Sequence, residues 1–326
     1  MAINSDGVPE VGESAWVDSR EPNVAPDWQL AEVVASLKQV RSGWRDSQQR
    51  HRSVGGRELP SQEALRDVLA GLRAALFPMR LGPPDLRQET EDYFVGHTLD
   101  QALNSLYQQA RLELRHFARH GGEVTGIDAK AAELVRQFAA DLPQVRATLD
   151  ADVVAAYDGD PAARSVDEVL ICYPGVFAII HHRLAHELYK LGLPLLARLV
   201  AEQAHAETGI DIHPGAQIGP GFFIDHGTGV VIGETAIIGK RVRLYQAVTL
   251  GAKRFEVDEQ GVLERGQPRH PIVEDDVVIY AGATILGRIT IGRGSVIGGN
   301  VWLTRSVAPG SVVTQAKSHQ EVAGGA

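Results

Sequence analysis

The chain has 326 residues, 44% of them apolar, and a formal net charge of −9. That length can hold two domains and a substantial core, and the acidic balance excludes nucleic acid and anionic membrane as main partners. One cysteine, Cys172, excludes an internal disulfide framework and a zinc–cysteine cluster, and its place in the apolar run VLICYPGVF predicts a buried, inert thiol.

Residues 1–27 are polar with three prolines and read as a disordered tail. MAINSDGVPEVGESAW has neither the charged start nor the apolar core of a signal peptide. No apolar run reaches the roughly 18 residues that span a bilayer, so a cytoplasmic protein is expected. From Trp28 the apolar spacing turns helical, and an all-helical domain is predicted over 28–209. Pro60 precedes a helix with Leu65, Val68, Leu69, Leu72 and Leu76 on one stripe. A long amphipathic segment runs from beyond Pro84 to about His120. DAKAAELVRQFAADL is predicted to start at an Asp128 N-cap, with DADVVAAY forming a separate helix. Ser165 with Glu168 fits a capping box. Pro174 opens a helix that Gly192 closes, and a last helix ends at Thr208-Gly209. His182 and His186 are spaced like a metal pair but lack a third ligand, so they read as core or interface residues.

From 210 to 310 the pattern changes. Ile212, Ile218, Ile224, Ile232, Ile238, Leu244 and Leu250, then Val273, Ile279, Ile285, Ile291, Ile297 and Leu303, recur at every sixth place, with a two-residue step before Ile232. A small or β-branched residue follows most of them four places on. A period of six fits neither a helix nor a simple strand. It marks a left-handed parallel β-helix, three sides and about eighteen residues to the coil. The fold class expected is therefore α+β in two parts, a helical N-terminal domain followed by the β-helix. A loop at about 252–271 interrupts the helix, and a tail covers 311–326.

Polar residues that break the aliphatic rungs are the candidates for chemistry: Asp211 and His213, Asp225 and His226, and Arg269 and His270. Asp211 and His226 are fifteen places apart, close to one coil, so they are expected on adjacent coils. A carboxylate beside an imidazole is the arrangement a general base needs. His213, His226 and His270 could instead hold zinc, as in γ-class carbonic anhydrases, and a non-catalytic trimeric scaffold is a third reading.

The run DIHPGAQIGPGFFIDHGTGVVIGETAIIG, with YQAVTLGA, RHP, YAGATILG and VIGGNV, resembles serine O-acetyltransferase in its longer N-terminal form. The resemblance covers the β-helix and reaches back to about Asp158. It implies transfer of acetyl from acetyl-CoA to the hydroxyl of L-serine in cysteine biosynthesis; another acceptor alcohol or amine is the alternative. It implies that His226 is the general base and Asp211 its orienting carboxylate. Asp160 and Asp225 would bind the serine amino group; Arg269 and His270 would hold its carboxylate and the developing charge. Gly251, Ala252, Ala281 and Gly299 would line the pantetheine arm, and Lys253, Arg254, Arg288 and Arg293 could meet the phosphates. Glu234 and Gln246 are weaker candidates. It further implies a homotrimer or dimer of trimers and no metal; from the charge pattern of a site built for the serine zwitterion, L-cysteine is expected as a competing feedback inhibitor. The C-terminus lacks the AGxPA motif and the terminal isoleucine that the short form offers to cysteine synthase, so the resemblance does not extend to that complex.

Overall fold

The computed structural model describes residues 27–47, 59–119, 122, 124–254 and 266–315. The expected tail over 1–26, the centre of the 252–271 loop and the last residues of the 311–326 tail lie outside the described residues. The chain divides into two compact units, 1–56 and 57–326. The first unit carries helix α1, Leu30–Ser47, which buries none of its residues.

In the second unit the helices are α2 (Gln62–Leu76), α3 (Pro78–Leu81), α4 (Glu91–Arg119), α5 (Ile127–Gly159), α6 (Val166–Cys172), α7 (Pro174–Lys190) and α8 (Pro194–Thr208). The stripe read on α2 is buried throughout, and Ser61 caps the helix by accepting from the Ala64 amide. Ser165 accepts from Glu168 N–H at 3.0 Å, as the capping pattern requires. Two local expectations are corrected. Helix α5 is one helix of 33 residues with Pro143 inside it, and its N-cap is Gly126 in the left-handed region, not Asp128. Asp128 lies in the first turn, where a carboxylate still faces the exposed amides favourably. The third correction concerns Cys172, which is exposed. Helix α6 has only seven residues and buries Val169 and Leu170 alone, so Cys172 falls on its outer side. No helix among the described residues is long and apolar enough to cross a membrane.

Fourteen short strands follow among the described residues, from β1 (Asp211–Ile212) to β14 (Val312–Val313). All pair in parallel and stack into three sheets that form the faces of a prism. Face I contains β1, β4 (Val231–Ile232), β7 (Thr249–Gly251), β10 (Thr284–Leu286) and β13 (Trp302–Leu303). Face II contains β2 (Gln217–Ile218), β5 (Ile237–Ile238), β8 (Ile272–Val273) and β11 (Thr290–Ile291). Face III contains β3 (Phe223–Ile224), β6 (Arg243–Leu244), β9 (Val278–Ile279), β12 (Val296–Ile297) and β14. The aliphatic sixth residue of each hexad is the inward one, and nearly all are buried, so the period is the core itself. Strand β14 extends the prism past 310.

The helices are fastened to the first coil by charge. Asp152 of α5 is 1% exposed and receives Arg183 of α7 through two bonds of 3.1 Å, together with the Phe222 amide at 2.9 Å. Arg183 also donates to the carbonyls of Ile218 and Gly219. Removing one member strands the other charge in a dry site. Asp152→Ala should therefore lose about 3–5 kcal/mol in chemical denaturation. Asp152→Leu with Arg183→Met should recover much of that loss; a loss below about 1 kcal/mol, the worth of an exposed pair, would contradict this reading.

Candidate active site

Two corners of the prism carry the polar residues singled out above. The first lies between faces III and I. The turn after β3 holds Asp225 and His226. His226 adopts a left-handed backbone (φ 60°), and its side chain is 72% exposed. Its Nε2 stands 3.9 Å from Asp225 Oδ1. Asp225 itself is buried, and its Oδ2 accepts from Arg243 Nη2 at 3.0 Å. The Arg243 guanidinium also lies 5.1 Å from the Phe223 ring centre and 4.8 Å from that of Tyr245. Tyr245 stacks on Tyr280 at 4.9 Å.

Asp160, the C-cap of α5, joins this corner. Its Oδ2 accepts from the Tyr173 hydroxyl at 2.5 Å and its Oδ1 from the Ala162 amide at 2.8 Å. These bonds, Tyr173's first, hold Asp160 below the usual carboxylate range. The same bond pushes the Tyr173 phenol up to about 12. Asp160 is thus an anion, and Tyr173 a fixed donor to it. Strand register then sets a column. Ile224, Leu244, Ile279 and Ile297 are successive partners, so His226, Gln246, Ala281 and Gly299 stand one above another two places on. The Oε1 of Gln246 in this column is buried without a partner among the described residues.

The second corner lies between faces I and II. His270 is buried, and its Nδ1 accepts from the Thr235 amide at 3.0 Å. Nδ1 is therefore unprotonated, and the neutral ring carries its hydrogen on Nε2. Burial first, and then the Arg269 charge, push its pKa down to about 4, so His270 acts as a neutral donor at physiological pH. Its ring lies against Gly233, where a Cβ would come within 2.0 Å of Cδ2; only glycine fits there. Thr235 Oγ1 accepts from the amides of Arg269 (2.9 Å) and His270 (3.1 Å). Arg288 holds the carbonyls of Thr235 and His270 at 2.6 and 3.0 Å. Glu234 accepts from Arg269 Nη2 at 2.7 Å. Partial burial alone would raise the Glu234 pKa, but bonds from Arg269 and Tyr189 outweigh it and hold the carboxyl below its ordinary value. Gly251 ends β7 and Ala252 follows it at this same corner. Beside them a cavity of about 370 Å³ is lined by Lys253, Arg254, Gln267, Arg269, Arg288 and Thr304.

The candidate residues therefore form two half-sets. Asp160, Asp225, His226, Ala281 and Gly299 share one corner; Arg269, His270, Gly251 and Ala252 share the other. His213 belongs to the second corner as well, so the three histidines of the zinc reading are not gathered in one chain. The cluster of three possible ligands among the described residues is instead Glu202, His205 and Asp211. Asp211 faces that cluster and makes no hydrogen bond to His226 among the described residues. The register explains it. Asp211 pairs with Val231, an offset of twenty residues, because the two-residue step widens this corner. His182 is a fully enclosed core residue, and His186 is half-buried where α7 meets the prism, its Nδ1 contacting the Pro214 carbonyl oxygen at 2.8 Å. Reading the sequence missed Tyr173, Arg243 and Thr235. Arg243 offered one signal, a charge directly before an inward aliphatic residue and one coil from Phe223.

Residues 270–305 match the bacterial transferase hexapeptide (six repeats) family model. The chain is 57% identical over 304 residues to a serine acetyltransferase of Synechococcus elongatus, covering 92% of this chain and 94% of that one. It is 51% identical over 162 residues to the serine acetyltransferase of Mycobacterium tuberculosis, covering 50% and 67%. Among solved structures it resembles serine acetyltransferase 1 of Entamoeba histolytica in complex with L-cysteine, with a TM-score of 0.66, 39% identity and coverage of 76% and 86%. It also resembles the Neisseria gonorrhoeae enzyme in complex with serine, at a TM-score of 0.51, 29% identity and coverage of 76% and 95%. Near-full-length identity, the hexapeptide prism and the helical N-terminal part agree: the chain belongs to the serine acetyltransferase family of hexapeptide-repeat acyltransferases.

Proposed function

We propose that this chain transfers acetyl from acetyl-CoA to the hydroxyl of L-serine, at a site completed by two neighbouring subunits of a homotrimer. The observation that carries the shared site is the division of the candidate residues between two corners that flank one face. Face I lies between them. A threefold axis in front of face I sets the His226 corner of one subunit against the Arg269 corner of the next. The outward side of face I is suited to burial there, with Val231 38% and Trp302 70% exposed in the single chain.

In this reading Asp160 and Asp225 receive the serine ammonium. Each is already pinned, by Tyr173 and Arg243, and keeps lone pairs for it. Arg269 takes the carboxylate, as opposite charges require. His226 removes the hydroxyl proton as oxygen attacks the thioester carbon. A C–O bond forms, the oxyanion is met by the Nε2–H of His270, and collapse breaks the C–S bond. The proton held by His226 passes to the departing thiolate. Asp211 is assigned to orient His226, which requires it to turn from Glu202 and His205. Coenzyme A runs along the cleft, its arm against Gly251, Ala252, Ala281 and Gly299, where small side chains let backbone amides approach. Its phosphates meet the cationic cavity at Lys253, Arg254 and Arg288. The reaction proceeds in the cytoplasm, where acetyl-CoA is made available, and supplies cysteine biosynthesis.

Thiol release from acetyl-CoA tests the acceptor. Serine should support turnover; threonine, a galactoside and an aminoglycoside should be much poorer. Equal rates with any of these, or without acceptor, would overturn the assignment. Cysteine carries the same ammonium and carboxylate, and a pocket separates such isosteres weakly. It should raise the apparent KM for serine without lowering kcat. Inhibition that saturating serine does not relieve would refute a shared site.

A further inference from the structure

Helix α7 touches the β-helix through residues three places apart. Arg183 donates to the carbonyls of Ile218 and Gly219, His186 contacts that of Pro214, and Tyr189 donates its hydroxyl to Glu234 Oε1 at 3.1 Å. The first two are anchors to backbone. The third differs, because its acceptor is a side chain that holds another side chain: Glu234 Oε2 accepts from Arg269 Nη2 at 2.7 Å. The Tyr189 ring is further fixed edge-on against His213, with centres 5.8 Å apart.

We propose that Tyr189 is a positioning residue that aims Arg269 at the carboxylate of the acceptor through Glu234. The inference rests on the reading of Arg269 as the carboxylate clamp. The physical reason lies in how a carboxylate meets a guanidinium. With both oxygens free, Glu234 can engage Arg269 side-on and occupy two of its N–H groups in a fork. Tyr189 occupies Oε1 and competes with that fork, and Glu234 engages Arg269 through Oε2 and one nitrogen. Nη1 is tied to the Gln267 carbonyl at 3.3 Å. The Nε–H and one Nη2–H then stay unpartnered among the described residues and are left for the carboxylate of the acceptor. Helix α7 thereby sets affinity for one end of the acceptor from outside the prism.

Steady-state kinetics on the full chain test this with L-serine and L-serinamide, which lacks the carboxylate. Tyr189→Phe keeps the ring and removes the hydroxyl. It should raise KM for serine roughly three- to tenfold, within the range for hydrogen bonds to charged groups. kcat, KM for acetyl-CoA and KM for serinamide should stay within about twofold of the parent. In an Arg269→Gln background the Tyr189→Phe effect should vanish, because the two act through one contact. An unchanged KM for serine, an equal rise for serine and serinamide, or an effect that persists without Arg269 would each overturn the proposal. The parent reading fails separately: Arg269→Gln would then leave the preference for serine over serinamide intact.

Discussion

His226→Ala is expected to lower kcat by roughly 10²–10⁴, the usual worth of a positioned general base, with the fold intact. The side chain is 72% exposed and packs no core, so its loss opens no cavity. The reaction needs the base because a serine hydroxyl is a weak nucleophile at neutral pH. The other nearby groups cannot substitute. Asp225 is engaged by Arg243, Asp160 by Tyr173, and His270 presents a proton rather than a lone pair. The backbone at 226 is left-handed, which costs alanine a little. His226→Asn, which tolerates that conformation, is the control. Both variants should lose turnover alike and melt near the parent temperature. Turnover within about tenfold of the parent in either variant would remove His226 from the role of base.

The prism was legible because its core and its period are one thing: an inward residue every sixth place can be read without knowing any contact. The helix ends were legible where punctuation was local, as at Ser165 and Pro174. Asp128 misled, because it is a good cap in isolation, while the chain uses the left-handed Gly126 one residue before the helix. Cys172 misled because an apolar run does not say which side of a seven-residue helix faces out. Within the site, the polar breaks at Asp225, His226, Arg269 and His270 stood out against aliphatic rungs. Their partners did not. Arg243 reaches Asp225 across a coil, and Tyr189 reaches Glu234 from another helix, so each depends on neighbours distant in sequence.

Mixing two impaired variants should restore activity, and the amount recovered is set by symmetry. Take His226→Ala, damaged at the corner between faces III and I, and Arg269→Ala, damaged at the corner between faces I and II. In the proposed homotrimer each variant carries the same fault in all three sites. In a mixed trimer one interface joins an intact His226 corner to an intact Arg269 corner, whichever variant contributes two subunits. Random assembly from equal amounts makes about three quarters of the trimers mixed, each with one sound site in three, so about a quarter of the parental activity should return. Co-expression with two affinity tags, followed by tandem purification, isolates the mixed species and raises the expectation to about a third. The control mixes His226→Ala with Asp225→Ala. Both faults lie at the same corner, no interface is then complete, and nothing should return. Recovery in the control would mean that subunit exchange repairs folding rather than sites. No recovery in the first mixture, with mixed trimers present by tag, would mean that each chain builds its site alone. The separation of Asp160, Asp225 and His226 from Arg269 and His270 across face I would then have to close within one subunit, which the parallel register of β4, β7 and β10 opposes by holding the two corners at opposite ends of the same strands.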